Sequence, residues 1–220
     1  LALLTSRLYR TNKMEIITGD GGFDFSVDFN NQEHSIGQLL FAQVIYAVIM
    51  QKQGGSFILK TFDCFMQHTL DILAILSSFY EKVYVTKPQT SRYANSEKYI
   101  VCKGFIGQPA DEIYPYLKTA FQQMISSEKR IFKLLSIPLT LLFTTKVEEY
   151  NAIFGQQQIE NIHYTLSLMD VKNKSEKLNN LVKTNVKKST DWCVKYGVLH
   201  NNIGLTNNVF EETFDVSTNI

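Results

Sequence analysis

GGSFILKTFDCFMQHTLDILAILSSFYEKVYVTKPQTSRYANSEKYIVCKG, Gly54 to Gly104, is the stretch whose reading decides the fold. It reads as strand, helix, strand, polar loop, strand. Ser56 to Leu59 is a short apolar run behind two glycines, without alternation, as in a strand buried in a parallel sheet. Lys60 follows at its carboxyl end. Phe62 to Phe79 carries the apolar period of an amphipathic helix, with Asp63 near its start. Lys82 to Thr86 and Lys98 to Cys102 are two more strands, closed by Lys103 and Gly104. The polar loop between them, Lys87 to Ser96, contains Pro88 and is only about ten residues long, so it joins antiparallel neighbours at one edge of the sheet.

Upstream, Met14 to Thr18 is another short apolar run, ended by Gly19-Asp20-Gly21-Gly22. It reads as a buried parallel strand with its loop at the carboxyl end, where open α/β sheets place their ligands. Asp20 is therefore either a site residue or a turn and cap residue. Phe23 to His34 is an Asn-rich loop, long for its kind and so functional or mobile. Its Phe25 and Phe29 either stack on bases or plug the core. Ser35 caps a helix running to about Gln53, with Leu39, Leu40, Gln43, Val44, Ala47 and Val48 at helical spacing. The fold class is α/β: a mostly parallel sheet with one antiparallel edge strand, built by right-handed crossovers, and a helical C-terminal extension.

Past Gly107 the pattern turns helical. Asp111 to Ser127 places Ile113, Leu117, Phe121 and Met124 on one face. Ile131 to Thr144 is apolar and broken by Pro138, either a buried helix that turns or extended strands. Lys146 to Asp170 and Ser175 to Tyr196 are helices. The lysines about the latter (Lys172, Lys174, Lys177, Lys183, Lys187, Lys188) read as a solvated face rather than an RNA surface. Three regions result: 1–107 carrying the sheet, a mainly helical extension over 108–204 packed on it, and a polar tail over 205–220.

The 220 residues suffice for one large domain or a domain with an appendage. With a formal net charge of +1, no global field favours nucleic acid, so an RNA site must be a local basic patch. Cys64, Cys102 and Cys193 are too scattered for a zinc cluster or a disulfide scaffold, which fits a reducing compartment and no metal. No apolar run of about 18 residues escapes polar interruption, so no membrane partner is expected. The first residues, Leu1 to Arg10, have Leu1, Leu4 and Leu8 at helical spacing, lack an initiator Met, and read as the end of a helix in the later part of a longer protein.

Three blocks, Asp20-Gly21-Gly22-Phe23, Gly54 to Asp63 (GGSFILKTFD) and Lys87 to Tyr99 (KPQTSRYANSEKY), resemble the FtsJ-like 2′-O-ribose methyltransferases. Within that family the likeness is to enzymes that methylate the first nucleotide of capped mRNA, in a version from a large DNA virus. The resemblance is good over residues 14–105 and loose beyond. It implies a Rossmann-like methyltransferase sheet, S-adenosylmethionine as cofactor, capped mRNA or other single-stranded RNA as substrate, other capping or transcription proteins as partners, and the host cytoplasm or the virion as location. In the family's Lys-Asp-Lys-Glu tetrad, Asp20 matches the aspartate, Lys60 the second lysine and Glu97 the glutamate. Asp20 also falls where the cofactor is held. Asn30, Asn31, Gln32, Arg92 and Asn95 fall where RNA is touched. Tyr93 stands where the cellular cap enzymes usually have proline. The first lysine and the glycine-rich cofactor loop belong before Leu1, so 1–107 is read as the C-terminal half of the catalytic domain.

That chemistry suits these residue types. A ribose hydroxyl is a poor acid, and a lysine can take its proton when burial and a neighbouring cation favour the neutral amine. Lys60 is the implied base, with Asp20 orienting it and Glu97 holding the lysines in place. The bland reading of Lys60 and Glu97 is a surface ion pair worth under about 1 kcal/mol. Lys87, Arg92 and Lys98, with the rings of Tyr93 and Tyr99, would grip phosphates and bases around the loop. Two rival functions share the fold: a non-catalytic RNA-binding or regulatory subunit, and a methyltransferase acting on other RNA.

Overall fold

A computed structural model describes residues 12–22, 31–107, 110–126, 132–169 and 175–198. They form two compact units, one through Ile162 and one from His163. The first holds a sheet of β1 (Met14–Gly19), β2 (Gln51–Thr61), β3 (Tyr80–Thr86) and β4 (Lys98–Phe105). Its helices are α1 (Gln32–Met50), α2 (Gln67–Phe79), α3 (Ala110–Ser126) and most of α4 (Leu141–Met169). The expected α/β architecture, a mixed sheet followed by helices, is what the chain adopts.

Strand order is β1-β2-β4-β3, with β1 parallel to β2 and β4 antiparallel to both β2 and β3. The antiparallel strand is therefore not at the edge, as its short connection to β3 suggested. It fills the gap between β2 and β3, which the α2 crossover leaves one strand apart. Short loop length fixes which strand is β4's neighbour on one side and says nothing about the other side.

Side chains alternate across the sheet. Phe57, Leu59 and Thr61 of β2, and Ile100 and Cys102 of β4, are buried, while Ile58, Lys60, Tyr99 and Val101 are half-buried on the opposite face. α1 supplies most of the apolar layer, with Ile36, Leu40, Val44, Ile45 and Ala47 almost fully enclosed. By length and composition α1 would also cross a bilayer, but here its apolar side packs in the core. Truncating Leu40 to Ala would cost about 2–5 kcal/mol at such a site. β1, expected to be buried, is instead exposed at Met14 and Ile16, because among the described strands it pairs only with β2.

Two buried carboxylates organise the helices. Glu33 in the first turn of α1 accepts hydrogen bonds from the backbone N–H groups of Phe65 (3.1 Å) and Met66 (2.7 Å). These lie at the start of α2, whose own N-cap residue, Met66, makes no capping bond. A carboxylate from another helix thus satisfies donors that α2 leaves open, and its charge suits the helix N-terminus. Asp63 was expected to open this helix. It lies four residues before it and pairs with Lys98 instead. Asp71, fully enclosed in α2, accepts from the backbone N–H groups of Leu134 (2.7 Å) and Leu135 (3.0 Å) and from the Gln67 amide (2.7 Å). It pins down the irregular segment 132–140, the stretch that resisted assignment by pattern. Gly37 lets α1 and α2 approach, since a Cβ there would lie 2.7 Å from His68 Nε2.

In the second unit, α5 (Ser175–Tyr196) has the bounds its apolar spacing predicts, yet none of its residues is buried. Lys172, Lys174 and the tail lie outside the described residues.

Candidate active site

Asp20 stands just past the carboxyl end of β1, and Lys60 one residue from the end of β2. The two strands are parallel, with Gly19 paired to Leu59, so both side chains arrive at the same rim. Lys60 Nζ lies 2.5 Å from Asp20 Oδ1, the lysine side chain only 17% exposed and the aspartate 74%. A mostly buried ammonium against an open carboxylate makes an ion pair that contributes little to stability, well under about 1 kcal/mol after solvent screening. What it does is fix the lysine head.

The turn that carries Asp20 is held from α1. Gln43 Oε1 accepts the Gly21 N–H at 3.0 Å, and Gln43 Nε2 donates to the Leu39 carbonyl at 3.3 Å. The turn sits so close that a Cβ at Gly19 would meet Gln43 Oε1 at 2.7 Å, and one at Gly21 would meet Leu39 Cδ2 at 2.9 Å. A side chain at either position would have to displace the ends of Gln43 or Leu39. A Cβ at Gly22 would come within 3.7 Å of Lys60 Nζ, so that open edge of the turn faces the amine.

Glu97 immediately precedes β4. Its Oε1 accepts from Tyr99 Oη at 3.2 Å and from Ser91 Oγ at 3.4 Å. Among the described residues the ion pair of Lys60 is with Asp20, and none joins Lys60 to Glu97. The link runs through Tyr99, which is the cross-strand partner of Lys60. Directly opposed residues of antiparallel strands present their side chains on one face, with Cβ atoms about 5 Å apart. Burial, the Glu97 charge and hydrogen bond, and the Asp20 charge all raise the Tyr99 hydroxyl above its usual pKa, so it stays a donor.

The loop before β4 is organised by Lys87, whose ammonium donates to Asn95 O (2.9 Å), Asn95 Oδ1 (2.8 Å) and Glu97 O (2.7 Å). Three donors meet three oxygens. Burial, with the nearby charge of Lys98, lowers the Lys87 pKa. Lys98 is itself enclosed, paired with Asp63 at 2.9 Å and lying over the Phe154 ring. Neither lysine is presented to a phosphate, contrary to expectation: both hold the chain around the site.

Of the expected RNA contacts, Arg92 is exposed in the loop beside Tyr93, itself 37% exposed. Asn95 is half-buried, its carbonyl oxygen engaged by Lys87. Asn31 occupies the N-cap position of α1, four residues before the Ser35 expected there, and Gln32 opens the helix. Gln32 Oε1 accepts from Ser96 Oγ at 3.1 Å, which draws the start of α1 to the same loop as Asn95 and Glu97. Asn30, Phe25 and Phe29 lie outside the described residues. Sequence reasoning gave Gln43 no site role and took Tyr99 only as an aromatic face. The signals were a polar residue interrupting the apolar stripe of α1, and a hydroxyl two residues beyond Glu97, on the same side of an extended chain.

Residues 2–105 match the family model of the FtsJ-like methyltransferases. A cap-specific mRNA (nucleoside-2′-O-)-methyltransferase 1 from Trypanosoma brucei brucei is 32% identical over 72% of this chain and 44% of its own length. A cap-specific mRNA (nucleoside-2′-O-)-methyltransferase 2 from Pongo abelii is 33% identical over 76% of this chain and 22% of its own. The methyltransferase 1 of Bos taurus reaches 41% identity over 47% of this chain and 12% of its own. The chain thus spans less than half the length of these curated relatives.

Proposed function

We propose that this chain, with its FtsJ-like segment over residues 2–105, belongs to an enzyme that methylates the ribose 2′-hydroxyl of the first nucleotide or nucleotides of capped mRNA. The observation that carries this reading is the 2.5 Å approach of Lys60 to Asp20 at the carboxyl ends of two parallel strands. As its neutral amine, Lys60 receives the proton of the 2′-hydroxyl while that oxygen attacks, and the ammonium so formed is the one that pairs with Asp20. Asp20 holds the lysine head in place, and Glu97 lies beside the pair through Tyr99.

S-adenosylmethionine, when bound, supplies an electrophilic methyl group on a sulfonium centre. Asp20, an open carboxylate just past a strand end, is the residue here that would suit a cationic centre. The protein's task is alignment and proton removal in a site that orients both partners. Arg92 and Tyr93 in the loop, with Asn31, Gln32 and Asn95, are offered to the RNA strand. Asn30 completes the proposed set.

The relatives named above come from trypanosomes and mammals, so a large DNA virus as source, action in the host cytoplasm or virion, and association with other capping proteins rest on the resemblance of motifs alone.

The test is methyl transfer by the complete protein from S-adenosylmethionine to capped RNA. Lys60→Ala should lower the rate by about 10²- to 10³-fold, as loss of a general base does. An unchanged rate would remove Lys60 from this role. Equal activity on RNA without a 5′ cap would reassign the substrate to another RNA.

A further inference from the structure

We propose that Tyr99 is a positioning residue that holds the Glu97 carboxylate beside the Lys60–Asp20 pair. This rests on the reading of that pair as the reactive centre. The register of β2 and β4 sets Tyr99 opposite Lys60, on the half-buried face of the sheet. Its hydroxyl reaches back to Glu97 Oε1 at 3.2 Å, whereas Ser91 Oγ, the other donor to that oxygen, is at 3.4 Å. Glu97 forms no ion pair with Lys60 among the described residues. Tyr99 thus stands opposite Lys60 on the neighbouring strand while its oxygen fixes the carboxylate.

Burial and the charges of Glu97 and Asp20 favour the protonated phenol, which keeps Tyr99 donating throughout the neutral range. The ring was expected to stack on a base. The hydrogen bond points to a different use, and substitution by Phe separates the two, because Phe keeps the ring and removes only the hydroxyl.

The experiment is methyl transfer by the complete protein at saturating cofactor and RNA. Tyr99→Phe should lower kcat by about tenfold, the loss of one hydrogen bond to a charged group, and leave KM for RNA within about twofold. Added to Glu97→Ala, it should cost nothing further, because its effect passes through that carboxylate. A full rate in Tyr99→Phe, or losses that multiply in the double variant, would overturn the proposal. A Tyr99→Ala variant impaired only in KM, beside a fully active Phe variant, would reassign the ring to stacking.

A second readout needs no activity. The absorbance titration of wild type minus Tyr99→Phe reports this one phenol, and Glu97→Gln should move its ionisation downward. No movement would show that the two groups are not coupled. A wild-type protein that transfers no methyl would overturn the reading of the reactive centre, while the titration would still decide whether Tyr99 and Glu97 are joined.

Discussion

Glu33 and Asp71 accept hydrogen bonds from backbone N–H groups inside the fold, whereas Asp20 and Glu97 accept from side chains at its rim. The first pair is buried, and each member joins segments distant in sequence: α1 to the head of α2, and α2 to residues 134 and 135. The second pair is open or half-open and meets a lysine and a tyrosine. The residue type is the same, but burial and partner decide the role. A carboxylate taken out of water is tolerated only where fixed donors replace the lost hydration, and its removal then strands those donors. A carboxylate left in water is free to meet a substrate and contributes little to stability.

That contrast can be broken by measurement. The largest effect belongs at the rim: Lys60→Ala, already expected to cost about 10²- to 10³-fold in rate, should leave the denaturation midpoint nearly unchanged, since its ion pair is exposed on one side. A large fall in stability would erase the distinction. Next comes Asp71→Ala, expected to cost about 3 kcal/mol in chemical denaturation, because two backbone amides and the Gln67 amide lose a shared acceptor. A loss below about 0.5 kcal/mol, the usual surface effect, would show that the Asp71 contacts do not secure the segment. Glu33→Gln should cost about 1–2 kcal/mol, since one oxygen still accepts while the new amide faces an N–H.

The smallest effect is on pH dependence. His68 is buried against α1, with Nε2 3.3 Å from the Glu33 carbonyl, and burial lowers its pKa from the ordinary 6.5. The unfolded chain therefore binds a proton that the folded one refuses, so the contribution is complete above about pH 6.5 and is lost as pH falls below it. Melting temperature should decline through that window, and His68→Gln should flatten the slope. An unaltered slope would show that His68 is not the group responsible.

The strands were legible as short apolar runs and α5 from its apolar spacing, but their ends were not: β2 begins at Gln51 and runs through Gly54 and Gly55, and β4 runs through Gly104 to Phe105, because ladder pairing carries a strand past a glycine. Asp20 and Lys60 could be brought together from sequence because parallel strands deliver their carboxyl ends to one rim. The place of β4 could not, since strand order depends on pairing between residues some forty positions apart. Nor could the start of α2 be read: Asp63 looks like a cap, and only the fold shows that Glu33 serves α2 while Asp63 serves Lys98. Lys87 and Lys98 look like phosphate ligands by composition, but their ammonium groups turn inward, which no local pattern reveals.

Because β4 slots between two strands made before it, the sheet cannot close until residues 98–105 have left the ribosome. Until then β2 and β3 each lack a neighbour, and Lys60 has no tyrosine across from it. The rim is thus among the last parts of the sheet to be assembled, by contacts of long sequence separation that form slowly.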